Sequence, residues 1–130
     1  MRGLRLGHYT SDDLKVNPWT PITLFVSAFN HRRQDVITPG RFLCADEDTS
    51  RWTSTRSEAK YKLGGVPALT KIKGKPEPVS VMLKSLCDVE TLVKLHLEVQ
   101  EGKERMAAKP YQAQFGAGTA WLLRMTAAYH

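Results

Sequence analysis

Two absences shape the first reading of this chain: it has almost no cysteine and no long apolar run. Cys44 and Cys87 are its two cysteines, 43 residues apart, and neither belongs to a CxxC pair. That spacing excludes the common zinc modules and favours two free thiols in a reducing cytoplasm over one long-range disulfide. No stretch approaches the roughly 18–20 apolar residues that span a bilayer, so no membrane partner is expected. The opening Met1-Arg2-Gly3-Leu4-Arg5-Leu6 turns polar at His8, without the apolar stretch of a secretory signal. Internal repeats, low-complexity tracts and Ser/Gly linkers are also missing, so residues 1–130 are expected to form a single domain.

Site chemistry is sparse as well. No Ser-His-Asp or Cys-His arrangement has meaningful spacing. Gly116-Ala117-Gly118 opens like a dinucleotide fingerprint, but Trp121 stands where the third glycine belongs. Asp46-Glu47-Asp48 lacks the ligand spacing and central glycine of a calcium loop and reads as a polar turn. No cofactor and no metal site are therefore expected.

What the chain does have is an ordinary globular balance, 42% hydrophobic and 25% charged over 130 residues, with a formal net charge of +6. The charge is unevenly placed. Arg51, Arg56, Lys60, Lys62, Lys71, Lys73 and Lys75 fall in one window opposed only by Glu58, so that window carries the whole excess. A basic surplus confined to one segment points to an electrostatic patch.

The coarse element pattern suggests α+β. A half-helix at Ser11-Asp12-Asp13-Leu14 must stop before Pro18. Ile22 to Phe29 alternates like a strand covered on both faces, Asn30 to Asp35 reads as a loop, and Arg41 to Cys44 as a short strand. Gly64-Gly65 is a two-residue loop joining Arg56–Leu63 to Val66–Lys73 as a hairpin. Alternation outward from that loop places Arg56, Lys60, Lys62, Lys71 and Lys73 on one face. Val79 to Leu86 is a further strand, and Thr91 to Val99 alternates well enough to favour strand over helix. Trp121, Leu122, Met125 and Ala128 form one face of a C-terminal helix. The expected architecture is an antiparallel β-meander sheet of about five strands with that helix packed on one face.

Two short motifs carry resemblances. His8-Tyr9-Thr10 resembles the H-x-T element of 2H phosphoesterases and the opening of some ADP-ribosyltransferases, without a second copy or partner motif, and reads as a structural or surface histidine. Gly65-Val66-Pro67-Ala68 with Leu97-Glu98-Val99-Gln100 is similar to the PD-(D/E)xK nuclease pattern. That resemblance implies metal-dependent cleavage, yet Ala68 and Gln100 occupy an acid and the lysine position.

The leading expectation is a small, non-enzymatic protein whose basic hairpin contacts the phosphates of DNA or RNA through Arg51, Trp52, Arg56, Lys60, Lys62, Lys71, Lys73 and Lys75. Trp52 is the stacking candidate, with capping of the core as its competing role. An interaction module docking on an acidic protein is the alternative, and a metal-dependent nuclease the third. Lysines that merely protect a sheet edge would give the same charge pattern.

Overall fold

The computed structural model describes residues 8–51, 68–71, 73–74 and 79–129. Helix α1 spans Ser11–Val16 and starts at a capping box. The Thr10 hydroxyl accepts from the Asp13 amide at 3.2 Å, and the Asp13 carboxylate accepts from the Thr10 amide at 2.7 Å. The donations from the Thr10 amide and, at 2.8 Å, from the Thr10 hydroxyl hold the Asp13 carboxyl below its ordinary range. Asn17-Pro18 then ends the helix, as the sequence requires.

Helix α2, Thr20–Val36, replaces the strand and loop expected at Ile22–Phe29 and Asn30–Asp35. Pro21 in its first turn presets φ and lacks an amide that would be unbonded there anyway, so it starts the helix. The inward residues are Ile22, Val26 and Asn30, spaced four apart, whereas Leu24 and Phe25 are exposed. The two-residue alternation was coincidental with half of a helical stripe.

Four strands make one sheet among the described residues: β1 (Leu43–Arg51), β2 (Thr70–Lys71), β3 (Val79–Asp88) and β4 (Lys94–Val99). All pairings are antiparallel and all involve β3. β1 runs along one edge of β3 from Leu43↔Asp88 to Arg51↔Ser80. β2 and β4 share the other edge, with Thr70 opposite Ser80 and Val99 opposite Leu83. The acidic turn expected at Asp46–Asp48 is instead the middle of β1, where Glu47 faces Lys84 across the ladder. Opposite charges on neighbouring strands offset the poor strand propensity of acids. The hairpin around Gly64-Gly65 lies outside the described residues.

Helix α3 (Lys103–Ala107), helix α4 (Ala117–Thr126) and a final 3₁₀ turn (Ala127–Tyr129) complete the chain. The fold is thus α+β, with the C-terminal helix packed on the sheet. Its buried residues are Ala120 and Met125, with Trp121 beside them; Leu122 and Ala128, expected inside, are exposed. Starting at Ala117 rotates the buried stripe toward Ala120 and Met125.

Alternation along β3 splits the core between the two sheet faces. Val81 and Leu83 join Trp19 and Val99, against which Ile22 and Val26 of α2 pack. Leu86 joins Leu95 and Met125, with Ala45, Trp121 and Tyr129 around them. Two glycines are required. Gly102 takes φ +96 straight after β4, and a Cβ there would stand 3.0 Å from that of Ala68. At Gly40 a Cβ would stand 2.5 Å from the Glu90 carboxylate and 2.9 Å from that of Asp88.

Candidate functional site

The basic window begins and ends on the sheet. Arg51 closes β1 opposite Ser80, and Lys71 closes β2 opposite Val79, so both backbones flank the first two residues of β3. Lys73 follows in an exposed turn beside Gly74, whose φ is +85. Trp52, Arg56, Lys60, Lys62 and Lys75 lie outside the described residues, as does the shared face expected for the hairpin lysines.

Acidic side chains show a sharper pattern. Glu47 is bound by Lys84, Asp48 by Lys94, and Glu101 by Arg105 at 2.6 Å and Lys109 at 3.3 Å. Burial pushes the Glu101 carboxyl up, but the hydrogen bond from Arg105 and the charge of Lys109 outweigh it, and the net shift is downward. Asp88 accepts from the Thr91 hydroxyl at 2.6 Å and the Glu90 amide at 3.1 Å, which lowers its pKa despite desolvation. Asp46 differs from all of these. It is exposed on β1, its carboxylate accepts from the Glu47 amide at 2.7 Å, and it has no ion pair among the described residues. It stands at a cleft of about 440 Å³ whose other walls include Lys84, Gln100, Trp121 and Arg124. Lys84 also lies 4.9 Å from the Trp121 ring centroid, a cation–π contact holding the ammonium at the cleft wall.

The strongest polar interaction is one that sequence reasoning missed. Glu98 on β4 and Arg124 on α4 are both at least nine-tenths buried and meet in a two-pronged pair, at 2.6 and 2.7 Å. Arg124 also donates to the Pro110 carbonyl at 2.9 Å. A fork of this kind matches carboxylate geometry and fixes α4 against the sheet. The signal was available: Arg124 is the one cation in the apolar run from Ala120 to Ala128. The pairing also removes Glu98 from service as a nuclease-type acid, since its two oxygens are occupied by guanidinium.

A neutral clamp holds the other helix. The Asn30 side chain accepts from the Leu97 amide at 2.9 Å and donates to the Leu97 carbonyl at 2.8 Å, taking the place of a further strand along β4. Its amide nitrogen also lies 3.2 Å from His96 Nε2, which must then be the unprotonated acceptor. Burial lowers the His96 pKa, against an opposing contribution from Glu98. His8 and His31 are exposed, the latter 3.2 Å from Asp35. Among the described residues no cluster of three or more His, Cys, Asp or Glu side chains forms a ready metal site.

Residues 1–130 match a family model described as Transposase IS4. In structure the chain is similar to the piggyBac transposase, as seen in a cryo-EM structure of its synaptic complex with hairpin DNA. The TM-score is 0.64 at 16% identity, covering 88% of this chain and 21% of the other. At that identity the likeness shows the fold, and the chain spans about a fifth of the transposase's length. No curated protein matches the chain. Among the described residues no helix is long and apolar enough to cross a membrane.

Proposed function

The chain belongs to the Transposase IS4 family, and from that premise we propose that it handles DNA during strand cleavage and joining, with the Arg51–Lys75 window on the phosphates and Asp46 in the reaction centre. The match of residues 1–130 to the transposase family carries this reading. It sets aside the non-enzymatic part of the sequence expectation, which the family does not support, and keeps its nucleic-acid partner.

Moving DNA requires breaking and forming phosphodiester bonds, and the developing charge on phosphate oxygens needs a counter-charge at the reacting centre. Divalent ions held by carboxylates supply that charge and activate the attacking oxygen. The donor chemistry of Asp46 fits one ligand of such an ion: it is an exposed hard oxygen donor, free of any cation among the described residues. Glu47, Asp48, Glu98 and Glu101 are each engaged by a lysine or arginine. Lys84, beside Trp121 at the same cleft, is already paired with Glu47.

Binding of duplex and hairpin DNA, followed by fluorescence anisotropy across a salt series, tests the interface. Log affinity should fall linearly with log salt, by about 0.9 per phosphate neutralised on duplex DNA. Reversing Lys60, Lys62, Lys71 and Lys73 to Glu should abolish binding. Retained binding in that variant removes the window from the interface. Binding that is nearly salt-independent yet destroyed by Trp52→Ala, in a variant that remains folded, points instead to a protein partner.

A further inference from the structure

The register of β1 on β3 sets the chain's two cysteines directly opposite each other, Cys44↔Cys87. Partners across an antiparallel ladder share a face, so both thiols leave the sheet on the same side. Cys44 is exposed and Cys87 half-buried; both are free thiols. The class of the pair follows from the ladder. The Val89 amide donates to the Phe42 carbonyl at 3.0 Å, and hydrogen-bonded pairs recur at every second position, which makes Cys44 and Cys87 a hydrogen-bonded pair. The other edge of β3 agrees. The Gln100 amide donates to the Met82 carbonyl, so Met82, Lys84 and Leu86 turn their backbone toward β4 and Cys87 turns toward β1.

We propose that Cys44 and Cys87 form a reversible, oxidation-triggered disulfide that staples β1 to β3. In a hydrogen-bonded pair the Cα atoms stand about 5.5 Å apart, inside the roughly 4.4–6.8 Å that disulfides span. The Cβ atoms, also about 5.5 Å apart, must approach by about 1.5 Å to reach bonding geometry. A bond that pulls its strands together is more easily reduced than a structural one, which makes this a switch and not a permanent brace. The register shift at Leu86/Cys87 on the β4 side gives the strand extra local twist at that point.

The oxidant is a peroxide. The exposed Cys44 sulfur attacks one peroxide oxygen, breaking the O–O bond and giving a sulfenic acid and one water. The Cys87 sulfur then displaces the sulfenic oxygen, which leaves as a second water once both thiol protons are counted. Two thiols are oxidised and one peroxide is reduced. The closed ring encloses the whole Arg51–Lys75 window, and Cys44 lies two residues from Asp46 on the same strand face.

Stoichiometric hydrogen peroxide followed by trypsin and non-reducing mass spectrometry tests this. Cleavage after Arg41, Arg51, Lys84 and Lys94 isolates each cysteine in its own peptide, residues 42–51 and 85–94. The expected product is these two peptides joined within a monomer, separated by dithiothreitol and absent from Cys44→Ser and Cys87→Ser. Dimers linked through Cys44 overturn the proposal. Sulfonic acid at Cys44 with Cys87 still alkylatable overturns it too, as does complete alkylation of both thiols after peroxide.

Discussion

The two faces of the sheet are held by different chemistry. Under α2 the contacts are apolar, with Trp19 fully buried against Val81 and Val99, and the polar fastening is neutral: one asparagine side chain bonded to both backbone groups of Leu97. Under α4 an apolar end of Leu86, Leu95 and Met125 gives way to charge, with Arg124 locked on Glu98 and Lys84 on Glu47 beside an open cleft. The α2 side resembles an ordinary core. The α4 side keeps ion-paired cations at an open cleft, an arrangement that costs desolvation. One side is fastened by apolar and neutral contacts, the other by an apolar cluster and paired charges.

The contrast can be broken at its strongest points first. Trp19→Ala should cost about 3–5 kcal/mol in urea unfolding, since it removes a fully buried indole from the α2 face. Arg124→Met should cost about 3–5 kcal/mol as well, but for a different reason: it strands the Glu98 charge in a buried site. The two losses separate in double variants. Adding Glu98→Leu should recover most of the Arg124→Met loss, because an apolar pair replaces an ion pair at little net cost, whereas it should recover none of the Trp19→Ala loss. Equal recovery in both backgrounds would erase the distinction between the faces.

A smaller effect sharpens it. Asn30→Ala should cost about 1–3 kcal/mol by exposing the Leu97 amide and carbonyl to an apolar neighbour. The neutral clamp is also pH-sensitive. His96 has its pKa lowered below the ordinary 6.5 in the folded chain. The unfolded chain therefore binds a proton first, and the stability contribution is complete above about pH 6.5 and lost as pH falls below it toward the folded value. A His96→Gln variant should flatten stability between pH 7 and 5, measured by thermal unfolding. Smallest of all, Lys73→Glu in its exposed turn should change stability by under about 0.5 kcal/mol.

Much of the sheet was legible in the sequence. Val79–Leu86 and Thr91–Val99 alternate strongly, and strands run from Val79 to Asp88 and from Lys94 to Val99, their alternate side chains going to the α2 side and the α4 side of the sheet. The C-terminal helix was legible too, from its apolar content between Pro110 and the end. Helix α2 was not, because Ile22, Leu24, Val26 and Ala28 fit period two and only half of a helical stripe is buried. Pro21 was the better guide. The acids of β1 misled for a tertiary reason: Asp46–Asp48 resembles a turn until Lys84 arrives on the next strand. The ion pairs that set Asp46 apart from Glu98 and Glu47 span 26 residues between Glu98 and Arg124 and 37 between Glu47 and Lys84, separations that no local pattern reveals. Of the basic window, the sequence supplied the charge and the ladder supplied two anchoring positions, Arg51 and Lys71.

The central claim is that Asp46, and not its cation-bound neighbours, serves the chemistry. Magnesium-dependent cleavage of hairpin DNA by the protein measures this directly, comparing Asp46→Asn with Glu47→Gln. The account predicts a rate loss of about 100-fold or more for Asp46→Asn with unchanged folding, because a metal-binding oxygen is lost. Glu47→Gln should retain cleavage within about tenfold, since its partner Lys84 stays at the cleft wall. Cleavage that survives Asp46→Asn but collapses in Glu47→Gln would contradict it.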